Sequence, residues 1–302
     1  MQIKGFGKIL AQIIVGILLL TLTLSFSYND PTNWSDYLLS FKEWKKERVE
    51  NLKKPMGYLS MTGLYWLNEG VQSMGSDTDN DLVFPSELPK DIGQLNLNNG
   101  KLFFETENNE ITINGDSSSD QSINSDADGE ASMFNWNSHF WYVIKRGDQY
   151  GVRLKDTLAD ARMNITNVPT YKPQQQWVIK GKFEASTENS KVSITNKVGI
   201  TYDRDLAGSV VFKYSDEEHD LLATTSGERL FIVFADLTNG TKTYGGGRFL
   251  YVDIPEKGNE VILDFNRAEN PICGFSDYAT CPLPRPENFL PFKVDAGEKK
   301  VR

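Results

Sequence analysis

Apolar and polar positions change period twice along this chain. Ile9 to Phe26 is almost continuously apolar and follows Lys4 and Lys8. The next stretch, PTNWSDYLLSFKEWKKERVENLKKP, spaces Trp34, Tyr37, Leu38, Phe41, Trp44 and Leu52 three or four apart, which predicts an amphipathic helix over residues 28–54 that Pro55 ends. From Gly57 the period becomes two. Runs rich in Val, Ile, Phe and Tyr are separated by NNG at 98–100, NG at 114–115, RGD at 146–148, NG at 239–240 and KGN at 257–259. The last third is the clearest: LFIVFADL, RFLYVDIP and EVILDFN read as an antiparallel meander, with Gly245-Gly246-Gly247 marking a bulge or a close backbone approach. The expected fold is mainly β, an N-terminal amphipathic helix followed by two packed antiparallel β units, sandwich- or barrel-like, over residues 55–165 and 166–302.

The first apolar run changes the picture of where the chain works. A basic start, an apolar stretch, and Ser25 and Ser27 one residue apart before Tyr28 make residues 1–27 a signal peptide, with an uncleaved N-terminal anchor as the alternative. The expected location is extracytoplasmic, either periplasmic or secreted. Retention of the segment would instead tether the protein to the inner membrane, and that is the only membrane contact expected. A net charge of -9 over 302 residues, with no basic cluster interleaved with aromatics, argues against a nucleic-acid partner.

Both cysteines lie in NPICGFSDYATCPLP. In an oxidising compartment Cys273 and Cys281 are most simply a disulfide, closing a short loop for about 2.5 kcal/mol on the chain-entropy model. Free or alternating thiols and a metal site are the alternatives, although the C-x7-C spacing matches no common zinc pattern. The acidic segment 113–132 interrupts the β pattern and reads as a solvated loop. Within it NSDADG resembles a calcium loop, but Asn124 stands at the first ligand position and Asn135 at the twelfth. No metal and no cofactor are expected.

Candidate chemistry is sparse. The two histidines are His139, on the aromatic strand WNSHFWYVIK, and His219, in the acidic run SDEEHDLL; they read as a sheet residue and a surface residue. No G-x-S-x-G, H-E-x-x-H or Walker motif occurs. What remains is a set of polar residues at the ends of apolar strands: Arg153, Asp156 and Arg162, Asp236 and Asp253, Tyr244 and Arg248 around the glycine triplet, and Asp264 with Asn266 alternating on one face. Arg–Asp pairing is the structural expectation for such groups. The functional expectation is a pocket in the C-terminal β unit where Arg248, Asp264 and Asn266, or Arg153, hold a small polar or anionic ligand.

TYGGGRFLYVDIP and VILDFNRAENPICGFSDYATCPLPRPENFLPFKVDAGEKK closely resemble a bacterial family catalogued as domain-of-unknown-function family 1684. Its pattern looks like T-Y-x-x-G-R, D-F-N-x-A-x-N-P-x-C, C-P-x-P-x-x-N and A-G-E-K, and the opening segment from Glu43 to Pro85 is similar to the family's as well. The resemblance would therefore cover nearly the whole chain after the signal. It carries no activity, but it directs attention to Tyr244, Arg248, Asp264, Asn266, Asn270, Cys273, Cys281, Asn288 and Glu298. In outline, GSDTDNDLVFP and ITING are also similar to forkhead-associated sandwiches, though Ser76 stands where that family has a phosphate-contacting Arg. That likeness implies a sandwich over residues 65–155 and not phosphate recognition. Ligand binding is the first functional expectation. The alternatives are a hydrolase or lyase using Asp264 with Arg248 or Tyr244, and an envelope scaffold without a ligand.

Overall fold

The structure is a computed structural model, and it describes residues 33–117 and 120–302. The signal or anchor reading of residues 1–27 lies outside the described residues. Helix α1 spans Trp34–Leu52, opened by Asn33, whose side chain accepts a hydrogen bond from the Ser35 amide. Its buried face is narrower than the sequence implies. Tyr37, Phe41 and Leu52 are buried, whereas Leu38, expected on the apolar stripe, is exposed along with Leu39. The stripe runs 37, 41, 44, 48, 52, and so includes Arg48.

Twenty strands follow, β1 Met61–Trp66, β2 Gly70–Gly75, β3 Leu82–Val83, β4 Gly93–Asn98, β5 Lys101–Glu105, β6 Thr112–Ile113, β7 Asp116–Ser117, β8 Gln121–Ile123, β9 Phe134–Trp136, β10 His139–Arg146 and β11 Gln149–Asp156 building the first unit. After the short helix α2, Asp160–Asn164, come β12 Val178–Ala185, β13 Lys191–Thr195, β14 Thr201–Asp205, β15 Gly208–Tyr214, β16 Glu217–Ser226, β17 Arg229–Asp236, β18 Arg248–Asp253, β19 Glu260–Asp264 and β20 Phe289–Leu290. The first eleven form a six-stranded sheet, β1-β11-β10-β9-β6-β7, and a five-stranded sheet, β3-β2-β4-β5-β8. Their facing sides alternate inward as the period predicts, and Phe104, Phe134, Trp141, Val143, Val152 and Leu154 fill the space between them. Asn99 and Gly100 both take positive φ, 48° and 78°, which is why NNG closes the β4–β5 hairpin. The acidic segment also departs from a featureless loop. It contributes β7 and β8, and Asp126 pairs with Arg146 while accepting from the Lys145 amide.

The second unit is a seven-stranded sheet in the order β18-β17-β16-β15-β12-β19, with β20 alongside β17, and it nearly closes into a barrel. Leu221, Leu230, Phe234, Leu263, Phe265 and Val294 lie in its core. The expected meander holds for β17 and β18, but β19 hydrogen-bonds to β12 instead of β18. Barrel curvature accounts for this, because β19 comes round to the opposite edge. Gly247 is a close backbone approach: with φ of 88°, a Cβ there would lie 2.8 Å from the Phe234 carbonyl oxygen.

Helix, sandwich and barrel meet in a third apolar cluster that includes Leu52, Leu59, Val168, Phe249, Ile272 and Cys273. Two buried polar groups sit at this junction. Arg48, 11% exposed, donates through Nε to Glu298 at 2.8 Å, reaches Glu269 at 3.0 Å, and donates to the Asn270 carbonyl at 2.9 Å. On the outward face of β11, Arg153 donates to Thr280 Oγ1 at 3.3 Å and Lys155 donates to the Met56 carbonyl, neither with a carboxylate partner among the described residues. Burial, and then the neighbouring Arg153, pulls the Lys155 ammonium down to about 8.

Two outcomes are expected. Arg48→Met leaves two carboxylates buried without their cation and lowers stability by about 3–5 kcal/mol in urea unfolding; a loss below about 1 kcal/mol would show that the clasp is solvated. For Lys155 the folded chain releases its proton before the unfolded chain does, so Lys155 opposes folding below pH 8 and the opposition fades as pH rises toward about 10.4. Wild type should gain roughly 1–2 kcal/mol relative to Lys155→Met between pH 8 and 10. A difference that stays flat across that window would count against the burial argument.

Candidate functional site

The polar residues expected to surround a ligand are mostly occupied in holding backbone. Arg248, at the start of β18, is 0% exposed and pairs with Asp236 at the end of β17, 2.5 Å away. Its other contacts are the Val294 carbonyl at 3.0 Å and the Ala296 carbonyl, and it lies over the Phe234 ring. Burial lowers its proton affinity and Asp236 opposes that shift. Asp264 accepts from the Tyr37 hydroxyl at 2.9 Å and pairs with Arg267 at 3.1 Å. Burial and then Asp264 raise the Tyr37 phenol well above its ordinary range.

The amides act in the same manner. Asn266 accepts from the Gln174 amide and donates to the Gln174 carbonyl. It stands in a turn of 3-10 helix after β19, not on a strand face shared with Asp264 as alternation predicts. Asn288 joins β16 to β17, accepting from the Leu222 amide and donating to the Leu222 and Val233 carbonyls. Asn270 donates to the Lys299 carbonyl, and its amide donates to Glu298 at 2.6 Å. The expected pocket between Arg248, Asp264 and Asn266 is therefore not assembled, because each already has protein partners in the interior.

The cysteines also differ from expectation. Cys273 and Cys281 are free thiols, 1% and 9% exposed, with their sulfurs 2.9 Å apart instead of the roughly 2.05 Å of a disulfide. Each amide donates to the other's sulfur, at 3.2 and 3.3 Å. Tyr244 packs beside this pair, against Gly274. Burial raises its phenol.

Open space lies at the junction. A cavity of about 340 Å³ is lined by Ile165, Asn167, Phe275, Lys300 and Arg302, among others. A second, of about 460 Å³, adjoins it and is lined by Thr62, Asp156, Asp160, Ser276, Asp277 and Tyr278. The two share Leu59, Ala161, Phe275 and Arg302, so they form one groove between the sandwich edge and the C-terminal tail. Its charge is polarised. The smaller cavity has two cations and no carboxylate in its lining, whereas the larger has three aspartates. Of these, Asp277 is gripped by both terminal nitrogens of Arg302, at 2.8 and 2.9 Å, and those hydrogen bonds hold its carboxyl below the usual range. Asp156 accepts from the Leu158 amide. Among the expected residues only Asp156 lines this groove; Lys300, Arg302, Asp160 and Phe275 were not singled out in the sequence. One signal for them was available, since Gly274 to Tyr278 is the stretch the two cysteines bracket. No three His, Cys, Asp or Glu side chains gather as a metal would require among the described residues.

Comparison with known proteins finds a family-model match over part of the chain and a match to a solved structure. No curated protein matches the chain. An uncharacterised protein of Haloarcula marismortui, solved by solution NMR, is 27% identical, with a TM-score of 0.38 over 46% of this chain and 78% of that one. The family whose model matches is described as Protein of unknown function (DUF1684), over residues 164–299. That range takes in α2's last residue, the barrel and the tail, so the family match is shorter than the nearly full-length likeness read from the motifs. The D-F-N, N-P-x-C and A-G-E-K motifs all lie inside the matched residues 164–299, so it is this part of the chain that is similar to the family.

Proposed function

We propose that this protein binds a small organic anion with an apolar body in the groove between the sandwich edge and the C-terminal tail. The observation that carries this is the lining of the smaller cavity, where Lys300, Arg302 and the Asn167 amide stand among Leu59, Ile165, Phe275 and Val301 with no carboxylate. Its volume of about 340 Å³ is of the size that holds a small metabolite. Lys300 supplies the charge for a carboxylate or phosphate group, Arg302, already paired with Asp277, frames the site, and Phe275 supplies a ring face for the apolar part. The aspartates of the larger cavity suit a polar or cationic end of the same molecule.

Binding fits better than catalysis because neither histidine reaches the groove. His139 is buried on β10, and His219 lies against Phe292 and Phe212. Lys4, Lys8 and the apolar run after them support export, which would place the groove outside the cytoplasm.

Benzoate, followed by ligand-observed NMR, is the probe. Saturable binding is expected in the wild type. Ala161→Trp, which fills the groove from an exposed position, should abolish it, and Lys300→Glu should weaken it at least tenfold, about 1.4 kcal/mol. Asp264→Asn should leave it unchanged. Equal binding in Ala161→Trp, or no saturable binding of benzoate or other small carboxylates, would overturn the assignment.

A further inference from the structure

The groove has one wall whose two ends meet at the cysteines. Gly274, Phe275, Ser276, Asp277 and Tyr278 line one or both cavities, and Cys273 and Cys281 bracket them. Besides the crossed amide-to-sulfur hydrogen bonds, the Cys273 thiol donates to the Ala279 carbonyl at 3.4 Å, so the two sulfurs face each other inside the loop they close. The loop is then fixed from outside at a few points. Arg302 grips Asp277 and donates to the Cys273 carbonyl, and Thr280 accepts from Arg146 and Arg153.

We propose that Cys273 and Cys281 are a reversible dithiol–disulfide pair, oxidised by a small hydroperoxide, and that closing the pair stiffens the wall of the groove. Burial of both sulfurs selects the oxidant by size, since a protein disulfide cannot reach them in the folded chain. Hydrogen peroxide is small enough to enter from the smaller cavity, whose lining residue Gly274 is next in sequence to Cys273. The cysteines are not equivalent. Hydrogen bonding from Cys281 holds the Cys273 thiol below its ordinary range, while the same contact and burial push Cys281 up. Cys273 is also the cysteine next in sequence to the cavity-lining Gly274, which makes it the attacking sulfur and Cys281 the resolving one.

The chemistry balances in two steps. The Cys273 thiolate attacks one peroxide oxygen, the O–O bond breaks, and Cys273 becomes a sulfenic acid as the other oxygen leaves, protonated, as water. The Cys281 sulfur then attacks the Cys273 sulfur, forming the S–S bond and expelling hydroxide, which takes the Cys281 proton and leaves as a second water. Two thiols lose two electrons in all, and hydrogen peroxide becomes two waters. A small dithiol reverses the change by exchange. The effect on ligand affinity rests on the groove assigned above, whereas the redox pair and the stiffening of the loop do not.

The test uses the freshly reduced full chain with one equivalent of hydrogen peroxide, followed by alkylation in denaturant, intact mass, and hydrogen exchange over residues 274–280. The expected result is a loss of 2 Da with neither cysteine alkylated, and at least fivefold slower exchange in the loop. Cys281→Ser should instead leave one added oxygen on Cys273, trapped by dimedone. Two alkylated cysteines, oxygen added separately to both sulfurs, or a disulfide with unchanged loop exchange would each overturn the proposal. Benzoate titration of the two redox states separates the readings. An affinity unchanged by oxidation but lost in Ala161→Trp keeps the groove and removes the redox link to it. No benzoate binding in either state, with the disulfide formed and the loop slowed, removes the groove and keeps the pair.

Discussion

One guanidinium between two buried carboxylates ties the beginning of the described chain to its end. Glu298 is completely buried and Glu269 is 18% exposed, and burying two carboxylates is costly unless a cation stands beside them. Arg48 serves both because its planar fork offers separate nitrogens to each, with one left for the Asn270 carbonyl. The balance is uneven. Burial pushes the Glu269 carboxyl up and Arg48 only partly opposes this, whereas Arg48 itself is held more firmly protonated because its two carboxylates outweigh its own burial. The consequence is positional: Asn270 is followed by Pro271, Ile272 and Cys273, so the helix sets where the cysteine loop begins.

The same logic explains why the polar motif residues within 164–299 are interior fasteners. A nearly closed barrel satisfies its own strand backbone, but the tail from Phe265 to Lys300 is mostly irregular and still buried over much of its length. Its carbonyls and amides need partners that no neighbouring strand supplies. Arg248 takes the carbonyls of Val294 and Ala296, Asn266 takes both groups of Gln174, and Asn270 takes the Lys299 carbonyl. An Asn or Arg at such a place is strongly specified without touching any ligand. A motif rich in polar residues therefore marks irregular buried backbone as readily as it marks chemistry.

Much of the fold was legible because its signals are local. Period two, paired with Asn-Gly turns, identifies hairpins such as β4–β5, and the three- and four-residue spacing identifies α1. What was not legible depends on distant partners. The pairing of β19 with β12 follows from barrel closure, which no short window of residues reports. Arg48 sits within the apolar stripe of α1, where a charge has no local partner and is explained only by Glu269 and Glu298 arriving from the far end of the chain. The site was the least legible part. Asp156 was singled out for its place at a strand end, but Lys300, Arg302 and Asp160 become neighbours only when the tail folds back across the sandwich edge.

That origin bears on how the groove can recognise anything. Its walls come from two sources: Ile165, Asn167, Pro169 and the cysteine loop lie inside residues 164–299, which match the family model, while Leu59, Thr62, Asp156, Asp160 and Ala161 lie before them. The first wall is tied to the barrel through Arg48, Glu298 and the tail. The second moves with the sandwich edge, and the two meet across Leu59, Ala161, Phe275 and Arg302. Charge follows this division in part: Asp156 and Asp160 come from the sandwich edge and Lys300 and Arg302 from the tail, while Asp277, on the cysteine loop, pairs with Arg302. A ligand that bridges the groove therefore contacts both β units, and its affinity depends on how firmly they are held together as well as on the side chains it meets.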